Sequence, residues 1–167
     1  MVGFKPDGRT NIYVTVGSGG FDQLIDAADK QLSSDFQLWC QIGKGKTIPS
    51  ANHFRFNEQF KHYIAQADMI VTHGGAGTVF ELLELGKKLV VVPNLYRVDS
   101  HQKDLARYLE QERFAVVCWD LSQLYDCVAR CLDNKVFNAK PYQKQPFFMA
   151  DELLSYFSLK NQVLSKD

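Results

Sequence analysis

The sequence predicts an α/β fold, a Rossmann-like sandwich on a mainly parallel sheet, and three observations carry that expectation. Short apolar runs rich in β-branched residues alternate with segments whose apolar residues recur at helical spacing. Glycine clusters follow two of those runs, at 17–20 and 74–77. The length, 167 residues, suits one compact domain and is too short for two with cores of their own.

The first run, 12–16, ends in Gly17-Ser18-Gly19-Gly20 and reads as a buried strand leaving into a loop. Phe21, Leu24, Ile25, Ala28 and Leu32 then stand at i, i+3, i+4, i+7 and i+11, the stripe by which a helix lies on a sheet. Further strands are expected at 36–42, 54–56, 69–72, 89–92 and 114–118, and helices at 59–67, 77–85, 101–112 and 121–132. Strand and helix in turn imply parallel crossovers. Two stretches read as irregular: 43–52, with Gly43, Gly45 and Pro49, and 138–146, with Pro141 and Pro146. The second is expected to lead from an α/β domain over 1–137 into a C-terminal linker and apolar helix over 138–167. Ala150, Leu153, Leu154 and Phe157 take helical spacing there, with Phe147, Phe148 and Tyr156 nearby.

Lys+Arg and Asp+Glu both count 19, so the formal net charge is zero and no electrostatic surplus points to nucleic acid or to an anionic membrane. A composition 46% hydrophobic and 23% charged excludes disorder as a global description. The longest strongly apolar run, 89–92, falls far short of the roughly 20 residues of a membrane span. The first ten residues, with Lys5, Pro6, Asp7 and Arg9, lack the pattern of a secretory signal, and a cytoplasmic location is expected. Cys40, Cys118, Cys127 and Cys131 form no Cys-x-x-Cys pair, and His53, His62, His73 and His101 lack metal-ligand spacing. Reduced thiols and no metal site are expected.

Ligands of open parallel sheets bind where loops leave the carboxyl ends of strands, which directs attention to the loops after Val16, Thr72 and Val92. Gly17-Ser18-Gly19-Gly20 lets backbone amides approach an anion, and serves equally as a tight turn. His73-Gly74-Gly75-Ala76-Gly77-Thr78 runs straight into a helix, whose N-terminal amides and dipole suit a diphosphate. Thr78 can cap that helix or touch phosphate. Glu81, one turn on, can accept hydrogen bonds from vicinal ribose hydroxyls or stand as a solvent-facing acid. Pro93-Asn94 and then Asp99-Ser100-His101-Gln102 offer polar groups for a sugar, or a helix cap. A P-loop ending at Gly45-Lys46-Thr47 would need glycine at Cys40, and Gly75-Ala76-Gly77-Thr78-Val79-Phe80 lacks the third glycine of the dinucleotide fingerprint. Neither a kinase nor a dehydrogenase is indicated.

Together, Val14-Thr15-Val16-Gly17-Ser18, His73 to Thr78 with Glu81, Gly86-Lys87-Lys88 before a strand ending Val92-Pro93, and His101-Gln102 resemble the C-terminal, donor-binding half of GT-B glycosyltransferases of the MurG type. The resemblance covers 12–119 and is strongest to stand-alone versions of that half. These are the cytosolic subunits of two-subunit dolichol-linked N-acetylglucosaminyltransferases and bacterial exopolysaccharide subunits of the PssE type. It implies a UDP-sugar donor, with the diphosphate held at the Gly77-Thr78 turn, Gly75 and Ala76 among the binding residues beside it, the ribose at Glu81, and the uracil at Phe56 and Asn57. The sugar would lie at Asp99, His101 and Gln102, with Ser18 and Gly19 facing the cleft near the reacting centre; His73, before the glycine loop, is a further binding candidate or orients backbone through its ring. The resemblance implies an inverting transferase subunit that needs neither metal nor other cofactor. A membrane-anchored, acceptor-binding partner would supply the base and bring the chain to the cytoplasmic membrane face, where the acceptor is lipid-linked. Lys88 departs from the family, which usually has proline there. Two other functions fit the residues themselves: a regulatory module that only senses a UDP-sugar, and a self-sufficient hydrolase or epimerase-like enzyme.

Overall fold

The computed structural model describes residues 3–5, 7–96 and 101–143. Six strands, β1 (Asn11–Thr15), β2 (Gln37–Gln41), β3 (Asn52–Phe54), β4 (Met69–His73), β5 (Lys88–Val92) and β6 (Val116–Val117), form one sheet in the order β3-β2-β1-β4-β5-β6. Every pairing is parallel. β1 is central, with Ile12 opposite Leu38 on one side and Met69 on the other. Burial on both faces explains why the central strands read as continuous apolar runs.

The pleat sends alternate residues to opposite faces. Ile12, Val14, Leu38, Cys40, Val90 and Val92 meet α1 (Asp22–Leu32) and α5 (Leu124–Leu132) through Leu24, Ile25, Ala28, Leu32, Val128 and Cys131. Tyr13, Trp39, Ile70, Leu89 and Val91 face α2 (Phe60–Gln66), α3 (Ala76–Glu84) and α4 (His101–Gln111), where Tyr63, Ile64, Val79, Leu82 and Leu109 close the second core. Burying a side chain of this size contributes about 1.5–3 kcal/mol, so these two layers hold the sheet.

Three boundaries differ from expectation, each for a physical reason. β3 lies two residues earlier than the apolar run at 54–56, because an edge strand needs only one-sided burial. Asn52 and His53 are exposed while Phe54 packs on Tyr13, Trp39 and Tyr63, and Phe56 falls in the following loop. β6 is a two-residue stub opposite Val90 and Val91, although Phe114, Ala115 and Cys118 beside it are buried. The last helical stretch opens with a 3-10 turn, Leu121–Gln123, because the Asp120 carboxylate accepts from the Ser122 amide at 2.9 Å.

After α5 the chain returns to the face bearing α3 and α4. The Lys140 amide donates to Arg113 O at 2.9 Å, and Tyr142 sits 5.6 Å from Phe80 and 5.3 Å from Phe114, ring centre to ring centre. The expected apolar helix, with Phe147, Phe148, Leu153, Leu154 and Phe157, lies outside the described residues. Among those described, no helix is long and apolar enough to cross a membrane.

Candidate functional site

Strand order reverses between β1 and β4, and loops leaving their carboxyl ends diverge to open a crevice. The loop after β1 is held from two sides. Gly17 takes φ +66° and donates its amide to Thr15 Oγ1 at 3.2 Å, while the Lys44 amide donates to Gly19 O at 2.5 Å. The irregular stretch after β2 is in turn pinned to α1. Asp22 Oδ1 accepts from the amides of Lys46 and Thr47 at 2.8 and 3.0 Å, and Arg55 Nη1 donates to Gly45 O at 2.7 Å.

On the opposite wall, β4 ends at His73 and the chain turns through Gly74 into α3, with Gly75 as N-cap. No side chain caps α3, and Ala76 and Gly77 are exposed, so the first-turn amides face outward with the positive end of the dipole. The His73 ring joins the two walls. A Cβ on Gly17 would lie 2.9 Å from its Cε1, and one on Gly75 2.5 Å from its Nε2.

Two adjoining hollows fill the crevice. One, of about 260 Å³, is lined by Ser18, Gly19, His73, Thr78, Asn94 and Gln102. The other, of about 220 Å³, is lined by Tyr13, Thr15, Gln41, Phe60, Thr78 and Glu81. Gly17, Ser18 and Thr78 border both. Larger hollows lie between α2 and α3 (about 330 Å³) and at the amino ends of β2 and β3 (about 310 Å³). Neither adjoins the glycine loops, and convergent backbone donors, not volume, mark the candidate site.

Of the residues named from the sequence, the structure brings Ser18, Gly19, His73, Thr78 and Gln102 to the first hollow and exposed Glu81 to the second. Gly75, Ala76 and Gly77 form the turn into α3 between them. His101 is exposed at the first position of α4, and Asp99 lies outside the described residues. Phe56, 55% exposed, and Asn57 stand in the loop after β3 and line neither hollow. Asn57 Oδ1 accepts from the Gln59 amide at 2.8 Å, a local turn that starts α2.

Tyr13, Thr15, Gln41 and Phe60 were not expected in the site. Tyr13 and Gln41 read as strand interior; the register sets Tyr13 opposite Trp39 and Gln41 opposite Thr15, and it is the Tyr13 side chain that reaches Gln41 at the carboxyl end. The Tyr13 hydroxyl donates to Gln41 Oε1 at 2.5 Å, and burial pushes its acidity well below that of an ordinary phenol, so it stays a donor. Among the described residues no three His, Cys, Asp or Glu side chains gather as a metal-holding group.

A model of the glycosyltransferase family 28 C-terminal domain matches residues 11–154. The chain belongs to that family. It is 35% identical over 122 residues to the UDP-N-acetylglucosamine transferase subunit ALG13 of Homo sapiens, across 64% of this chain and 11% of that protein. It is 30% identical over 128 residues to the UDP-N-acetylglucosamine--N-acetylmuramyl-(pentapeptide) pyrophosphoryl-undecaprenol N-acetylglucosamine transferase of Legionella pneumophila (strain Lens), across 72% of this chain and 35% of that one. Its fold matches the crystal structure of Acinetobacter baumannii MurG with a TM-score of 0.61 at 24% identity, covering 80% of this chain and 44% of the other. It matches the NMR solution structure of ALG13 with a TM-score of 0.56 at 18% identity, covering 87% and 95%. The chain thus spans about a tenth to a third of the length of these sequence relatives. The parallel six-stranded sheet is the fold of the C-terminal half of GT-B glycosyltransferases.

Proposed function

We propose that this chain binds a UDP-sugar in the crevice between β1 and β4. On this reading it is the donor-binding half of an inverting glycosyltransferase and works with a membrane-anchored, acceptor-binding partner. It passes a hexosyl group to a lipid-linked acceptor at the cytoplasmic face of the membrane. The reading rests on one observation: two hollows meet at Ser18 and Thr78 beside the uncapped N-terminus of α3. A ligand carrying ribose, diphosphate and sugar in a row meets suitable groups in order. Glu81 accepts from the ribose hydroxyls, the amides of Ala76, Gly77 and Thr78 take the diphosphate, and Asn94, His101 and Gln102, with Asp99, take the sugar. Phe56 and Asn57, in the loop after β3, would flank the uracil on this reading. The two sequence relatives are N-acetylglucosamine transferase proteins, which favours a 2-acetamido sugar.

In the transfer, the acceptor oxygen forms a bond to the anomeric carbon while the bond from that carbon to the diphosphate breaks. Charge builds on departing UDP, and amides already pointing at it from α3 stabilise that charge without reorganising. No metal or further cofactor is invoked. The acceptor hydroxyl must lose a proton, and on this reading the partner supplies the base.

Ligand-observed NMR titration with UDP-, GDP- and ADP-sugars, repeated on Glu81→Ala, tests the donor site. Selective UDP-sugar binding that weakens in the variant is expected; binding without base preference, or indifferent to Glu81, refutes it. Transfer should appear only when the partner is added.

A further inference from the structure

We infer that Gln41 is a positioning residue for the donor's diphosphate, setting the Gly17–Ser18 peptide so that the Ser18 N–H faces the crevice. This rests on the UDP-sugar reading above. Gln41 closes β2 beside the end of β1, and its side chain makes two bonds. Oε1 accepts from the hydroxyl of Tyr13, a residue only 1% exposed, and Nε2 donates to Gly17 O at 3.3 Å. Gly17 O can only accept, so the Gln41 amide turns its nitrogen there and leaves its oxygen to accept from the Tyr13 hydroxyl.

The consequence is geometric. In a planar trans peptide the C=O and the following N–H point in opposite directions. Gly17 O lies on the β2 side, against Gln41 and 2.8 Å from where a Cβ on Gly43 would stand. β1 lies between β2 and β4, so the Ser18 N–H is turned toward β4 and the N-terminus of α3. Ser18 borders both hollows, and its amide therefore opposes the α3 amides across the crevice. Gly17, at φ +66°, is free to adopt other peptide orientations, and the Gln41 bond, with Thr15 Oγ1 on the Gly17 amide, selects this one.

The test compares UDP with uridine on Gln41→Leu and Gln41→Glu, with the Ser18 amide followed by ¹⁵N NMR. A double variant, Gln41→Leu with Tyr13→Phe, removes both partners and leaves no buried hydroxyl unpaired, so a folded form is available. UDP affinity should fall about tenfold, the worth of one hydrogen bond to a charged group, and uridine affinity should stay within about twofold. The Ser18 resonance of the ligand-free variants should shift. Equal losses for UDP and uridine would mean that Gln41 is merely wall and would overturn the inference, as would an unmoved Ser18 amide. If the unmodified chain binds no UDP, the donor reading fails; the ligand-free Ser18 resonance then decides the peptide geometry alone.

Discussion

The imidazole of His73 stands where a side chain on Gly75 would have to go, since a Cβ there would lie 2.5 Å from Nε2 and 2.9 Å from Cε1. Gly75 has φ −77° and ψ 115°, angles any residue adopts, so glycine is required for space and not for backbone freedom. The same ring lies 2.9 Å from the Cβ position of Gly17, and one side chain thereby sets the spacing of both walls of the crevice.

Gly75→Ala should therefore destabilise the fold by about 1–3 kcal/mol, the usual cost of forcing an extra group into packed structure. Adding His73→Ala should return part of that loss, because the ring it collides with is gone. Urea denaturation of the two single variants and the pair checks this as a double-mutant cycle. Strictly additive costs would show that the ring and Gly75 do not compete for the same space.

How far the sequence could be read follows from the same residues. The strand and helix order, the parallel sheet and the two glycine loops were readable because apolar periodicity and glycine clusters are local signals. β3 was misplaced because Phe56 looked like a strand residue, whereas the ladder partner of Gln41 is Phe54. Tyr13 and Gln41 gave no sign of their place in the site, since 28 residues separate them and only strand pairing joins them. The departure at Lys88 became intelligible only when the helix it reaches was seen.

Asp29 links α1 to the irregular stretch before β3. Its Oδ2 accepts from the Ser50 amide at 2.8 Å, and its Oδ1 from Ser50 Oγ at 2.9 Å and the Ala51 amide at 3.0 Å. Burial acts to raise its pKa, but those three bonds, with help from His53, outweigh it and hold the carboxyl below its ordinary range. A depressed folded-state value contributes stability that is present above the unfolded value, about 3.9, and lost as the pH falls toward the folded one. Asp29→Asn should cost about 1–2 kcal/mol near pH 7, solvent screening included, and the gap to the unmodified chain should close below about pH 4. Chemical denaturation from pH 7 to pH 3 measures it; a gap independent of pH would contradict the role of the charge.

Lys87 and Lys88 terminate helices on opposite faces of the sheet. Lys87 Nζ donates to Ala65 O at 3.2 Å and Ala67 O at 3.1 Å at the end of α2, and Lys88 Nζ to Leu132 O at 3.3 Å at the end of α5. A cation at a helix C-terminus contributes about 0.3–1 kcal/mol. Lys87→Met and Lys88→Met should each lose about that much, and the double variant their sum, because the two caps share no helix. Amide hydrogen exchange should quicken in the last turn of α2 for the first and of α5 for the second. Loss of both turns in either single variant would refute the assignment.

Gln102 ties the loop after β5 to the first turn of α4, its Oε1 accepting from the Asn94 amide at 2.9 Å, with its Cβ 3.0 Å from the Cβ position of Gly74. If the first hollow receives the sugar, this side chain shapes the sugar end and not the nucleotide end. Gln102→Leu should then lower UDP-sugar affinity about five- to tenfold while leaving UDP affinity within about twofold, since the polar group lost is one hydrogen-bonding side chain. Gln102→Glu keeps an acceptor for the Asn94 amide but gives up the amide donor. It should therefore preserve the loop while still weakening the sugar, which separates support of the loop from contact with the ligand. Parallel titrations of UDP and UDP-sugar on both variants check the prediction. Equal losses for the two ligands would move Gln102 from the sugar end to general support of the crevice.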